Sequence, residues 1–182
     1  MTDATMPRQD RLRRVVILCR NFAVNLAYYR VGRKTEHLHL QDYQTRGNFW
    51  RVMSGNCIDM CVLESCKLFA NPKEKHHWGR IVADPEGFRV QLTNDLGIDE
   101  VAFQKQIEVM RQYRNKFLAH LDSDEVANIP ALDIAKKAVW FYHSYVVLHE
   151  AQPSDLEGFR FDLDAGYAKC EREAQVIYEQ NS

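Results

Sequence analysis

Ala131-Leu-Asp-Ile-Ala-Lys-Lys-Ala-Val-Trp-Phe-Tyr-His-Ser-Tyr-Val-Val-Leu-His-Glu150 is the stretch that decides the fold class. Ile134, Ala135, Ala138, Phe141, Tyr142, Tyr145 and Val146 recur at steps of three and four, which puts them on one face of a helix. Working outward, the same period appears upstream. Leu12, Val15, Val16, Cys19, Phe22, Ala23, Leu26 and Tyr29 predict a helix over 10–32, ended by Gly32. The polar stretch 34–41 reads as a connection. A second helix is predicted over 42–69, apolar around most of its circumference from Phe49 and Trp50 to Leu68 and Phe69, and stopped by Asn71-Pro72. Such a helix is either central in a bundle or shared with a second subunit.

Residues 73–98, with Pro85 and three glycines, read mostly as connection with one short helix near 74–83. A further long helix starts near Asp99, its cap, and passes Phe103, Ile107, Met110 and Tyr113 to Leu118. Residues 123–130 form a turn, and a last helix is predicted over 164–178. No strand pattern and no internal repeat appears. The expectation is an all-α protein, an up-and-down four-helix bundle with accessory short helices. At 182 residues, a loose tail over 1–9 and a single domain over 10–182 are expected.

A formal net charge of −1 excludes a chain that is basic all over, so any nucleic-acid surface must be local. The charge is uneven, with eight basic residues against two acidic in 1–34 and three against eight in 150–182. Either the N-terminal stretch faces nucleic acid, or the two ends pair through complementary faces. Five cysteines, three of them inside the second apolar run, suit reduced thiols rather than a disulfide framework. No apolar run reaches the roughly 18 residues of a membrane span, and no secretory signal is visible. A cytoplasmic protein without membrane contact is expected.

The candidate chemistry lies in Arg111-Gln-Tyr-Arg-Asn-Lys-Phe-Leu-Ala-His-Leu-Asp122. Arg114 is always charged and can fork onto phosphate oxygens. His120 moves protons near neutral pH, and Asn115 offers a donor and an acceptor. Arginine with histidine and no carboxylate cluster suits metal-free chemistry on a phosphodiester. On a straight helix Arg114 and His120 stand roughly 120° apart, so they converge only where the helix kinks or ends. The competing reading is an arginine and a histidine near a helix C-terminus, interacting with its last carbonyls.

The Arg114-Asn115 pair, followed by four residues and His120, resembles the signature of the HEPN superfamily. The adjoining Leu121-Asp122 and the helix around Phe49-Trp50-Arg51 resemble its abortive-infection, AbiU-like branch. The resemblance covers roughly residues 40–150 and is specific mainly in the one short motif. It implies a HEPN-type bundle and a homodimeric, metal-independent endoribonuclease of the toxin or phage-defence kind. The RNA's own 2′-hydroxyl would be the nucleophile, leaving a 2′,3′-cyclic phosphate and a 5′-hydroxyl. His120 would be general base or acid, Arg114 would stabilise phosphoryl charge, and Asn115 would position the phosphate or Arg114. Some HEPN toxins carry, two residues after the histidine, a tyrosine that a nucleotidyltransferase antitoxin modifies. Asp122 stands there in this chain, so control by an antitoxin or other regulatory protein would need another form.

Arg111 and Lys116 are weaker candidates for substrate binding, since solvated charge is the common role of such residues. Asp122 either orients the imidazole or caps the next turn. His76-His77 and the Cys57/Cys61 pair lack further ligands at a zinc spacing, so no metal and no cofactor is expected; they read as surface histidines and core cysteines. Tyr28, Tyr29, Tyr142 and Tyr145 could stack bases, though aromatics at helical spacing are more often core. Glycine-rich phosphate loops, Gly-x-Ser-x-Gly and His-Glu-x-x-His are absent from the sequence. The alternative to the enzyme is a non-catalytic helical module that binds RNA, a nucleotide or a partner protein.

Overall fold

A computed structural model describes residues 6–42, 44, 48–119 and 129–181, and every regular element among them is helical. Helix α1 (Arg8–Gly32) is followed by a 3₁₀ turn (Thr35–Gln41) and α2 (Phe49–Ser65). Then come the short α3 (Trp78–Ile81), α4 (Pro85–Leu96), α5 (Glu100–Tyr113), α6 (Asp133–Tyr145) and α7 (Leu163–Glu179). Three of these helices widen at their C-terminal ends into π turns: α2 over Cys66–Ala70, α5 over Arg114–Ala119 and α6 over Val146–Glu150. Such i→i+5 turns are rare, and they shift the register of the side chains beyond them. No helix among the described residues is long and apolar enough to cross a membrane.

The central helix is α1, not α2. Leu12, Val15, Cys19, Phe22, Ala23, Leu26, Ala27 and Val31 are all fully buried, and α1 packs along both α2 and α7 as well as against α6. A methyl at Gly32 would collide with the Tyr178 hydroxyl, so the absent Cβ is what lets α7 come so close. The second helix keeps one face open: Phe49, Val52 and Met53 are 66%, 52% and 36% exposed. Its regular run begins at Phe49, the first of its apolar residues, with Asn48 preceding it; Tyr43 and residues 45–47 of the run predicted over 42–69 lie outside the described residues.

Residues 34–41, read as a plain connection, fold into a 3₁₀ turn that buries His37 and Leu40 against α7; His37 and Tyr178 rings lie 5.2 Å apart. Arg8 and Gln9, expected in the tail, belong to α1, because Arg8 donates to the Ile81 carbonyl at 2.9 Å and pairs with the buried Glu150.

The largest departure is α4. Asp84 caps it by accepting from Gly87 N at 2.9 Å, Pro85 occupies its first turn, and Gly97 ends it at φ 66°. These are ordinary start and stop signals, hidden by a proline and glycines that otherwise mark loops. The helix inserts Phe88, which is fully buried between Trp78, Phe141, Tyr142 and Tyr145, with ring centroids 4.9–5.4 Å away. A segment read as connection therefore supplies the hub of the aromatic core.

Candidate functional site

The last turn of α5 is fixed by its own buried face. Phe103, Met110 and Tyr113 sit in the core, and the Tyr113 hydroxyl donates to Asp59 Oδ1 on α2 at 2.8 Å. Burial, then the hydrogen bond and charge of Asp59, raises the Tyr113 phenol well above its ordinary range. Asp59 is the polar interruption in the otherwise apolar stretch 57–63. That interruption is the one sequence signal for a positioning pair, and helical periodicity alone passes over it.

One residue beyond Tyr113 the π turn begins. Arg114 is half-buried, and its Nε and one terminal nitrogen both donate to Asn115 Oδ1, at 3.2 and 3.0 Å. Two of the five guanidinium N–H groups are thus used to fix its plane by the adjacent amide, and the charge remains available to an anion. Asn115 is thus the acceptor that Arg114 meets on this turn.

Arg111, one turn earlier, is exposed and ion-paired with Glu108 at 2.7 Å. Lys116 is exposed. Both arginines lie near the end of α2: the Cys66 thiol is pushed up to about 11 by burial, with the Arg114 and Arg111 cations pulling it back. Lys67, on the π turn that packs against α5, is paired with the buried Glu64 at 2.9 Å. The arrangement is a cluster of cations at one end of the α2–α5 pair, with one guanidinium oriented by an amide. Its chemical capacity is binding and charge stabilisation of a phosphate. His120 and Asp122, the remaining candidates of the motif, lie outside the described residues.

The basic N-terminal stretch is directed at the protein itself. Arg13 Nε donates to the Asp155 carbonyl at 2.8 Å and its guanidinium lies over the Phe159 ring; Arg20 lies over Phe161; Arg30 pairs with Asp133; Lys34 donates to Gln175 at 2.8 Å. These contacts reach residues 155–175 through a backbone carbonyl, two aromatic rings and an amide, while the ion pair of Arg30 is with Asp133 on α6.

His77 is not a surface histidine. It is buried at the start of α3, where Nδ1 accepts from Gly79 N and Nε2 donates to the Phe69 carbonyl at 3.1 Å. Both ring nitrogens are engaged in holding two backbone segments together, which leaves the ring to structure. Cys57 and Cys61 are buried, with the Cys57 thiol raised to about 11 by desolvation and Cys61 raised further. Thiols held protonated in this way are poor ligands and poor nucleophiles. Among the described residues no group of three or more His, Cys, Asp or Glu is placed to hold a metal ion. Tyr142 is fully buried and donates to the His76 carbonyl, and Tyr145 is buried; Tyr28 and Tyr29 are half-buried.

Comparison with protein-family models, with curated proteins and with solved structures gives no match. The class the fold defines is an all-helical protein with no membrane-crossing helix among its described residues, and the site is known by its geometry alone.

Proposed function

We propose that this protein is a metal-independent endoribonuclease of the HEPN kind, working as a homodimer. The observation that carries the reading is the Arg114 guanidinium, oriented by Asn115 on the π turn that closes α5. In the reaction the RNA 2′-oxygen attacks the adjacent phosphorus and the bond to the 5′-oxygen breaks. His120 takes the 2′-proton or supplies one to the departing 5′-oxygen. Arg114 stabilises the charge that gathers on the non-bridging oxygens. Arg111 and Lys116 extend the phosphate track.

The uncovered apolar face of α2 supports a second copy as its partner, since exposed side chains as large as Phe49, Val52 and Met53 in one stretch favour burial. Toxin or phage-defence activity, restrained by an antitoxin or another regulatory protein, would follow from unguided cleavage of cellular RNA.

The test is incubation of purified protein with mixed cellular RNA in EDTA, beside His120→Ala and Arg114→Ala. The expected result is cleavage by the parent alone, with 2′,3′-cyclic phosphate ends. Cleavage that persists in both variants rejects the site. RNA binding without cleavage, lost in Arg114→Ala, would point to the non-catalytic module.

A further inference from the structure

Away from Arg114, a groove of about 400 Å³ runs between α6, with its π turn, and the first residues of α7. Trp140, Val147, Phe161 and Leu163 give it apolar walls, and it is of the size that holds a small organic molecule. Two carboxylates from the start of α7 border it. Asp162 is fixed through Oδ1 by Ala165 N at 2.9 Å, and Asp164 through Oδ1 by the Trp140 indole N–H at 2.8 Å. Each retains a second oxygen that these bonds do not use. One arginine, the exposed Arg160, also lines the groove, so two carboxylates face one cation there.

His143 belongs to the same wall and is only 7% exposed, yet its Nε2 has no hydrogen-bond partner. Burial lowers its affinity for protons, while Asp162 and Asp164 pull the other way, so the ring is neutral at pH 7. A buried polar atom without a partner costs free energy, and in a native site it marks a place where something else completes the bond. Trp140 already attracts a cation on the adjoining surface: Lys136 Nζ lies 5.1 Å from the centroid of that ring and 4.4 Å from that of Tyr167.

We propose that this groove binds a small organic cation, an ammonium or amidinium group on an aromatic or alkyl body. The cationic N–H groups meet Asp164 and Asp162 beside the His143 ring, and the body lies against Trp140 and Phe161. The site is separate from Arg114 and does not depend on the ribonuclease reading.

Benzamidine is the probe, with benzoate as the ring of opposite charge. The full-length protein is titrated with each while the His143 ring resonances and tryptophan fluorescence are followed. Saturable binding of benzamidine at about 1 mM or tighter, shifting the His143 signals, is the expected result. Asp164→Asn, which keeps an acceptor for the Trp140 indole, should weaken it about tenfold, and Arg114→Ala should leave it unchanged. The proposal is overturned if His143 does not respond to benzamidine by about 10 mM, if benzoate binds as tightly, or if Asp164→Asn has no effect.

Discussion

The Tyr113 hydroxyl donates to Asp59 Oδ1 at 2.8 Å, tying α5 to α2 one residue before α5 opens into its π turn. Arg114 projects from the first residue of that turn, so the direction it takes depends on where Tyr113 is held. Tyr113→Phe removes the hydroxyl and leaves the half-buried Asp59 carboxylate without this donor. The expected cost is about 1.5–3 kcal/mol, the range for a hydrogen bond to a charged group. Urea unfolding of the variant against the parent measures it. An unchanged midpoint would mean that solvent replaces the phenol and that the pair does not fix the turn.

The aromatic hub makes a sharper demand on stability. Phe88 is fully buried among four aromatic rings, and Phe88→Ala should cost about 3–5 kcal/mol through lost transfer energy and the cavity left behind. Gly97→Ala should cost about 1 kcal/mol, because φ is 66° there and an alanine strains the end of α4. Denaturant curves of the two variants give both numbers. If Phe88→Ala behaved like a surface change, α4 would not be part of the cooperative core.

What the chain discloses in advance depends on which signals compete. The periodicity of α6 and α1 is legible because their apolar residues repeat without interruption. That of α2 leaves two places open, central or shared with a second subunit, and the structure answers the first: α1 holds the middle. Burial of α1 rests on Leu12, Phe22 and Leu26 together with the small Ala23, Ala27 and Gly32, and hydrophobic patterning weighs the small ones lightly. Helix α4 is hidden because Pro85 and Gly97 can read as loop residues, and only together with Asp84 as caps. The π turns carry no sequence signature of that strength. For the site, Arg114 and Asn115 are visible as a motif. The fork between them is one of two roles the sequence leaves open, and the Tyr113–Asp59 tie is invisible until α2 and α5 lie side by side.

Acid should weaken the fold at a pH where carboxylates still ionise. Burial lowers the proton affinity of His76, His77 and His143 below the ordinary value of 6.5. The unfolded chain therefore takes up protons on these rings before the folded chain does. Their contribution is intact above pH 6.5 and is lost as the pH falls through the lowered native values. Each fully affected histidine contributes a slope of up to about 1.4 kcal/mol per pH unit. Protonation of His77 also ends its acceptance of Gly79 N–H. Urea midpoints between pH 7.5 and 5 should fall, and His143→Gln should flatten the fall. A flat profile across that window would show that the rings gain their protons without unfolding anything.

The Arg114–Asn115 fork makes a prediction about function that distinguishes orientation from mere charge. Within the proposed ribonuclease, Arg114→Ala should lower the cleavage rate about 10²–10³-fold, the scale of losing one preorganised charge stabiliser. Arg114→Lys should recover little of it, since an ammonium cannot reproduce a planar fork. Asn115→Ala keeps the guanidinium but frees it to rotate, so a smaller loss of about tenfold or more is expected. The informative variant is the double one. If Asn115 acts only by orienting Arg114, its removal costs nothing further once Arg114 is alanine, and the two losses are strongly non-additive. Single-turnover cleavage rates for the parent, both single variants and the double variant complete the cycle. Strictly additive losses would give Asn115 a contact of its own with the RNA.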